Sequence, residues 1–142
     1  MTTHNQSFDF QVVSPEKILF QGTSTMTVLP ATSGNIGVLA KHAPTVLTLS
    51  RGIIDVYQGD QIAHRLFVGG GFANISETNC LVMADDAIAV EDLKEDELVQ
   101  YLQDVELAIE KTIIEEEKIH LRNDAFMAKT KIDLIRHLLK KD

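Results

Sequence analysis

Three sets of side chains are of types that do chemistry. Asp85-Asp86 and Glu91-Asp92 are paired carboxylates, the residue type that general acid and base catalysis uses. His4, His42, His64, His120 and His137, together with the single Cys80, supply donors of the kind that bind zinc. Gly69-Gly70-Gly71 is a glycine run of the kind that lets backbone approach a phosphate. Each set falls short of a site. The carboxylate pairs precede a helical stretch, where acids cap the helix and offset its dipole. No two histidines stand four apart on a helix, so no metal site is expected. The glycine run lacks the Gly-x-Gly-x-x-Gly spacing, is not followed by Gly-Lys-Ser/Thr, and lies between two strands. A tight bend is its simpler reading, as it is for Gly34-Asn35-Ile36-Gly37. Ser14, Ser33 and Ser50 lack the Gly-x-Ser-x-Gly context of a nucleophile. No catalytic residue and no cofactor is expected.

The elements that hold these residues divide the chain in two. All eight glycines and all three prolines precede residue 72, so turn chemistry stops halfway. Phe8, Phe10 and Val12 alternate with Asp9 and Gln11, and short apolar runs follow at Lys17–Gln21, Thr23–Leu29, Ile36–Leu39, Val46–Ser50, Ile53–Gln58, Ile62–Val68, Phe72–Ser76 and Cys80–Met83. Runs of that length and spacing predict an all-β sandwich, with hairpin tips at Gln58–Gln61 and Ser76–Asn79. Antiparallel neighbours are expected throughout, because no gap holds a helical crossover. The boundary of this domain is placed at residue 86.

From there to residue 142 the pattern is helical. Leu98, Leu102, Val105 and Ile109 form one stripe; Leu121, Ala125, Ala128, Ile132, Ile135 and Leu139 form another, out of phase with the first. One straight helix would put the stripes on nearly opposite faces, so a turn is expected near 111–118 and an antiparallel two-helix domain over 87–142. Glu115, Glu116 and Glu117 fall in the first turn of the second helix and Lys140 and Lys141 in its last, each suited to the dipole. The net charge of −8 follows the same division: residues 1–84 carry −1, residues 85–117 carry −11 and residues 118–142 carry +4. Such acidity disfavours nucleic acid as a partner. The apolar runs are far shorter than the ~20 residues that cross a bilayer, and the polar segment Met1–Ser7 has the shape of neither a signal nor a transit peptide. Any association with a membrane is expected to be indirect, through other proteins. Two readings of such a chain stand side by side: a subunit of a larger assembly, or a free-standing β-sandwich binding module with a coiled-coil arm.

Six phrases in register favour the first. They are Phe10-Gln11-Val12-Val13-Ser14-Pro15-Glu16; Val28 through Leu39, with Pro30-Ala31-Thr32-Ser33-Gly34-Asn35 at its centre; Lys41-His42-Ala43-Pro44; Leu49-Ser50-Arg51-Gly52; Val68-Gly69-Gly70-Gly71-Phe72-Ala73; and Val82-Met83-Ala84-Asp85. In this order they resemble the epsilon subunit of bacterial F-type ATP synthases, a family shared with chloroplast epsilon and mitochondrial delta.

The resemblance implies a ten-stranded β-sandwich followed by an α-helical hairpin, and a non-catalytic role in the central rotor stalk. The sandwich would contact the gamma subunit and the ring of c subunits, and so couple ring rotation to ATP synthesis at the cytoplasmic face of the bacterial inner membrane. The loop Ala31–His42 would face the ring, which implies that role for Ser33, Asn35 and His42; Asn35 stands where some relatives carry an acid. The hairpin would be an arm that opens toward the alpha and beta subunits of the catalytic head and obstructs ATP hydrolysis, through the basic residues Lys118, Arg122, Lys129, Lys131 and Arg136. Some relatives bind ATP in the closed hairpin through Ile/Leu-Asp-x-x-Arg-Ala. The matching stretch here, Leu93-Lys94-Glu95-Asp96-Glu97-Leu98, has lysine for the acid and glutamate for the arginine, so no nucleotide site is expected. Ile132-Asp133-Leu134-Ile135-Arg136-His137 is a chance likeness in the second helix.

Overall fold

The computed structural model describes residues 6–141, with side chains to 137; His4, and the side chains of Leu139, Lys140 and Lys141, lie outside the described residues. Ten strands come first: β1 (Phe8–Val13), β2 (Ile18–Ser24), β3 (Met26–Ala31), β4 (Gly34–Leu39), β5 (Thr45–Leu49), β6 (Gly52–Gln58), β7 (Gln61–Val68), β8 (Gly71–Ile75), β9 (Asn79–Ala84) and β10 (Ala87–Ala89). A short 3-10 turn (Val90–Asp92) leads to helices α1 (Glu95–Lys111) and α2 (Glu115–Lys141). The chain forms two compact units that divide after Val90.

The first unit is a sandwich of two five-stranded layers. One runs β4-β3-β6-β7-β10 and the other β5-β8-β9-β1-β2. They join where Ala31 of β3 pairs with Leu49 of β5. Alternation explains the core: Phe8, Phe10 and Val12 of β1, Ile54 and Val56 of β6, Leu66 and Val68 of β7, and Cys80 and Val82 of β9 turn inward and are buried together. Burying one Phe, Ile or Val side chain contributes roughly 1.5–3 kcal/mol, so this shared interior dominates the stability of the unit. Its polar members are bonded: Thr27 Oγ1 donates to Ser24 Oγ at 3.0 Å, and Ser24 Oγ donates to the Met26 carbonyl at 2.7 Å.

Two expectations change. Neighbours are not all antiparallel, because β1 runs parallel to β9, Asp9–Val13 beside Asn79–Met83. No crossover unit is needed for this, since the whole of β2 to β8 separates the two strands. The sheet also continues past residue 86. Ala87–Ala89 pairs with Leu66–Val68, so the β unit keeps these residues and ends at Val90.

In the second unit the two helices pack antiparallel. Glu95, at the start of α1, meets Arg136, and Glu106, nearer its end, meets Lys129. Val105, Ala125 and Ile132, all from the two predicted stripes, are buried. The break is the three residues Thr112–Ile114. Thr112 is extended at φ −84° and ψ 142°, and its hydroxyl donates to Glu117 Oε2 at 2.8 Å and accepts from the Ile114 N–H. A side-chain clasp thus turns the chain where no glycine or proline does.

Candidate functional site

Ser33 and Asn35 sit together at one end of the sandwich. Ser33 lies in the β3–β4 turn, and Asn35, exposed, pairs with Pro30 next to it. Gly34 takes φ 127° there, which accounts for glycine in that turn. His42 is not with them. The segment Ala31–His42 is not a loop; its middle is β4, a six-residue strand about 20 Å long. His42 follows the far end of that strand. Its Nδ1 donates to the Ala43 carbonyl at 2.7 Å, while the Lys41 N–H donates to the Glu77 carbonyl at 2.9 Å and ties this turn to the β8–β9 hairpin. The three residues therefore form two sites at opposite ends of β4.

The five basic residues of α2 are mostly engaged within the hairpin. Arg136 Nε stands 2.8 Å from Glu95 Oε2, Lys129 Nζ 3.8 Å from Glu106 Oε2, and Lys118 Nζ 3.8 Å from Glu115 Oε1. Lys131 also has a partner, and Arg122 is exposed. Ile113, Ile114, Ile119 and Phe126 of the same unit are exposed too, Ile113 to 91%.

A surface that sequence reading missed is the outer face of the layer β5-β8-β9-β1-β2. Ladder register places Thr48, Phe72, Met83, Val13 and Ile18 in one row across all five strands. Ile18 is 55% exposed, Phe72 43% and Met83 37%. The next row is Val46, Asn74, Leu81, Gln11 and Gln21, and the last holds Asn79, Asp9 and Thr23. Asp9 is the one charged residue among these thirteen. The sequence carries a signal for this face: Val12-Val13 and Val82-Met83 are apolar doublets, which in a strand put an apolar side chain on both faces.

Cys80 is buried beneath this face, and burial pushes its thiol up to about 12. It is therefore a packing residue and no nucleophile. Among the described residues no three His, Cys, Asp or Glu side chains gather as a metal-ligand set. No helix among them is long and apolar enough to cross a membrane.

Known proteins share this arrangement. A family model described as the β-sandwich domain of the ATP synthase delta/epsilon chain matches residues 7–90, which is the whole first unit from just before β1. The ATP synthase epsilon chain of Rhodospirillum rubrum is 36% identical over 113 residues, covering 80% of this chain and 84% of the relative. That of Rhizobium etli (strain CIAT 652) is 38% identical over 117 residues, covering 82% and 87%. A chain from the mitochondrial ATP synthase of Euglena gracilis, solved with OSCP, F1 and the c-ring, superposes with a TM-score of 0.67 over 94% of this chain and 81% of its own, at 20% identity, and so shares the fold. The sandwich, the phrases along it and the helical hairpin that follows it in sequence agree with one another, and the chain belongs to the ATP synthase delta/epsilon family.

Proposed function

We propose that this chain is the central-stalk subunit that couples rotation of the c-ring to ATP synthesis in an F-type ATP synthase, held at the cytoplasmic face of the bacterial inner membrane by its partners. It does no chemistry of its own. The observation that carries the reading is the outer face of β5-β8-β9-β1-β2. A five-stranded face with an apolar row across four of its strands and one charge among thirteen side chains is built for burial against protein rather than for exposure to water. This face is assigned to the gamma subunit. The turn holding Ser33 and Asn35 is assigned to the ring, and His42, at the other end of β4, is withdrawn from that contact. Family membership favours this reading over a free-standing binding module.

The hairpin is assigned the inhibitory role toward the alpha and beta subunits. Its support is physical: Arg136 and Lys129 of α2 are matched to Glu95 and Glu106 of α1, and both would be available to other acidic partners once the hairpin opened.

The test is recovery from solubilised membranes. The full chain is expected to bring down gamma and the ATPase. Phe72→Asp together with Met83→Asp is expected to abolish that recovery, while Phe126→Asp leaves it intact. Retention of gamma by the double variant overturns the face assignment. Removal of residues 91–142 is expected to raise ATP hydrolysis, and unchanged hydrolysis overturns the inhibitory role while the coupling role stands.

A further inference from the structure

Beside the apolar row lies an open groove of about 510 Å³, lined by Asp9, Gln11, Gln21, Asn74 and Asn79 among others. Its walls are amides with no charge, and Asp9 carries the single ionised group of the entire face. The Ser76 hydroxyl donates to Asn79 Oδ1 at 2.7 Å, which holds that amide at the edge of the groove.

From this we infer that the face recognises its stalk partner in two parts: the row Phe72-Met83-Val13-Ile18 takes an apolar strip, and the groove takes a lysine or arginine of the same partner onto Asp9. The inference rests on the assignment of this face to gamma and specifies the chemistry the partner must present. Charge complementarity selects a cation, because no basic residue stands in the three rows to answer an acid. Carbonyl oxygens of the surrounding amides would accept the remaining N–H groups of a guanidinium or ammonium, as a desolvated cation requires. Geometry sets the spacing. Val13 and Asp9 are four residues apart on β1, about 13 Å, and the four strands β8, β9, β1 and β2, about 4.8 Å apart, give the apolar row a length of about 14 Å. A helix of about 10 residues would lie along that row. A second partner helix, packed beside the first at about 8–10 Å, would carry a long basic side chain within reach of Asp9.

The measurement is binding of the purified full chain to its gamma subunit at several salt concentrations. Asp9→Asn is expected to weaken binding about tenfold and to flatten the salt dependence; Asp9→Lys is expected to weaken it further. Asp9 is exposed, so thermal melts of these variants should match the parent. Unchanged affinity and salt dependence in Asp9→Asn, with Phe72→Asp still disruptive, overturns the groove inference and leaves the face assignment standing. If Phe72→Asp also binds normally, the face assignment fails with it. Replacing each exposed lysine and arginine of gamma by aspartate in turn should yield one variant that binds poorly to the parent and is rescued by Asp9→Lys. The absence of any such rescue counts against the groove.

Discussion

Nε of Arg136 donates a 2.8 Å hydrogen bond to Oε2 of Glu95, joining the last part of α2 to the first turn of α1. Both side chains remain partly in water, 54% and 36% exposed. The bond therefore orders the helix ends more than it stabilises them, with a contribution of about 0.2–1 kcal/mol. Ile132, 5% exposed, contributes differently, through packing along the hairpin. Arg136→Ala should lower the stability of the hairpin by less than about 1 kcal/mol, and Ile132→Ala by about 2–5 kcal/mol. Distances between spin labels at the two helices, followed through a urea titration, measure both. An Arg136→Ala effect as large as that of Ile132→Ala would mean that charge, not packing, keeps the hairpin closed.

The second prediction concerns Gly71, at the start of β8. Its φ is 141°, and a Cβ there would stand 2.1 Å from the Met83 carbonyl oxygen and 3.0 Å from the Cα of Ala84. Both obstacles are backbone of the paired strand β9, which cannot swing aside as a side chain would. Gly71→Ala should cost about 3 kcal/mol or more. Gly59 provides the contrast: at φ 64° it has no atom within 4 Å of its Cβ position, so Gly59→Ala meets only the backbone preference, about 1 kcal/mol. Thermal unfolding of the two variants separates them. Equal losses would show that β9 yields at Met83.

These glycines also mark what a sequence discloses and what it withholds. Gly69-Gly70-Gly71 reads as a bend from its types alone, and so do the tips Gln58–Gln61 and Ser76–Asn79, because turn chemistry is local. The inward sides of β1 and β9 are legible from alternation. The parallel pairing of β1 with β9 is not, since it joins residues about seventy positions apart and leaves no mark in either strand. The strand Ala87–Ala89 is hidden for another reason: three small or apolar residues beside acids carry no period of their own, and only β7 makes them a strand. The family resemblance implies one ring-facing role for Ser33, Asn35 and His42, but the six residues of β4 carry His42 to the other end of the sandwich.

Cys80 yields a prediction in pH. Burial disfavours the thiolate and pushes its thiol up to about 12 in the folded chain, against an ordinary value near 8.5. The folded state thus holds a proton that the unfolded state releases at lower pH. That contribution to stability is fully present below about pH 8.5 and is lost as pH rises toward 12. Cys80→Ala should remove this part of the alkaline loss at the expense of a small cavity. In the native chain the thiol should resist a maleimide at pH 7.5 and react promptly in guanidinium chloride. Rapid labelling under native conditions would place the thiol in solvent and contradict its burial.

The last prediction is that Mg-ATP does not bind the closed hairpin. The place to look is the first turn of α1, where backbone N–H groups point outward and would ordinarily attract an anion. Glu95, Asp96 and Glu97 occupy that turn. Asp96 Oδ1 already accepts from the Glu97 N–H at 2.9 Å, and Glu95 is paired with Arg136. A triphosphate would meet carboxylates where it needs donors, and Arg136 is already paired with Glu95. Lys94 precedes the helix with no side-chain capping bond, and one lysine does not outweigh three acids. Calorimetric titration of the full chain should show no saturable binding up to about 1 mM, which corresponds to less than about 4 kcal/mol of affinity. Glu97→Arg tests the cause, since it restores the cation that nucleotide-binding relatives carry at this position and should give weak but measurable binding. Saturation of the parent chain below that concentration would show that the acids of this turn do not govern the site.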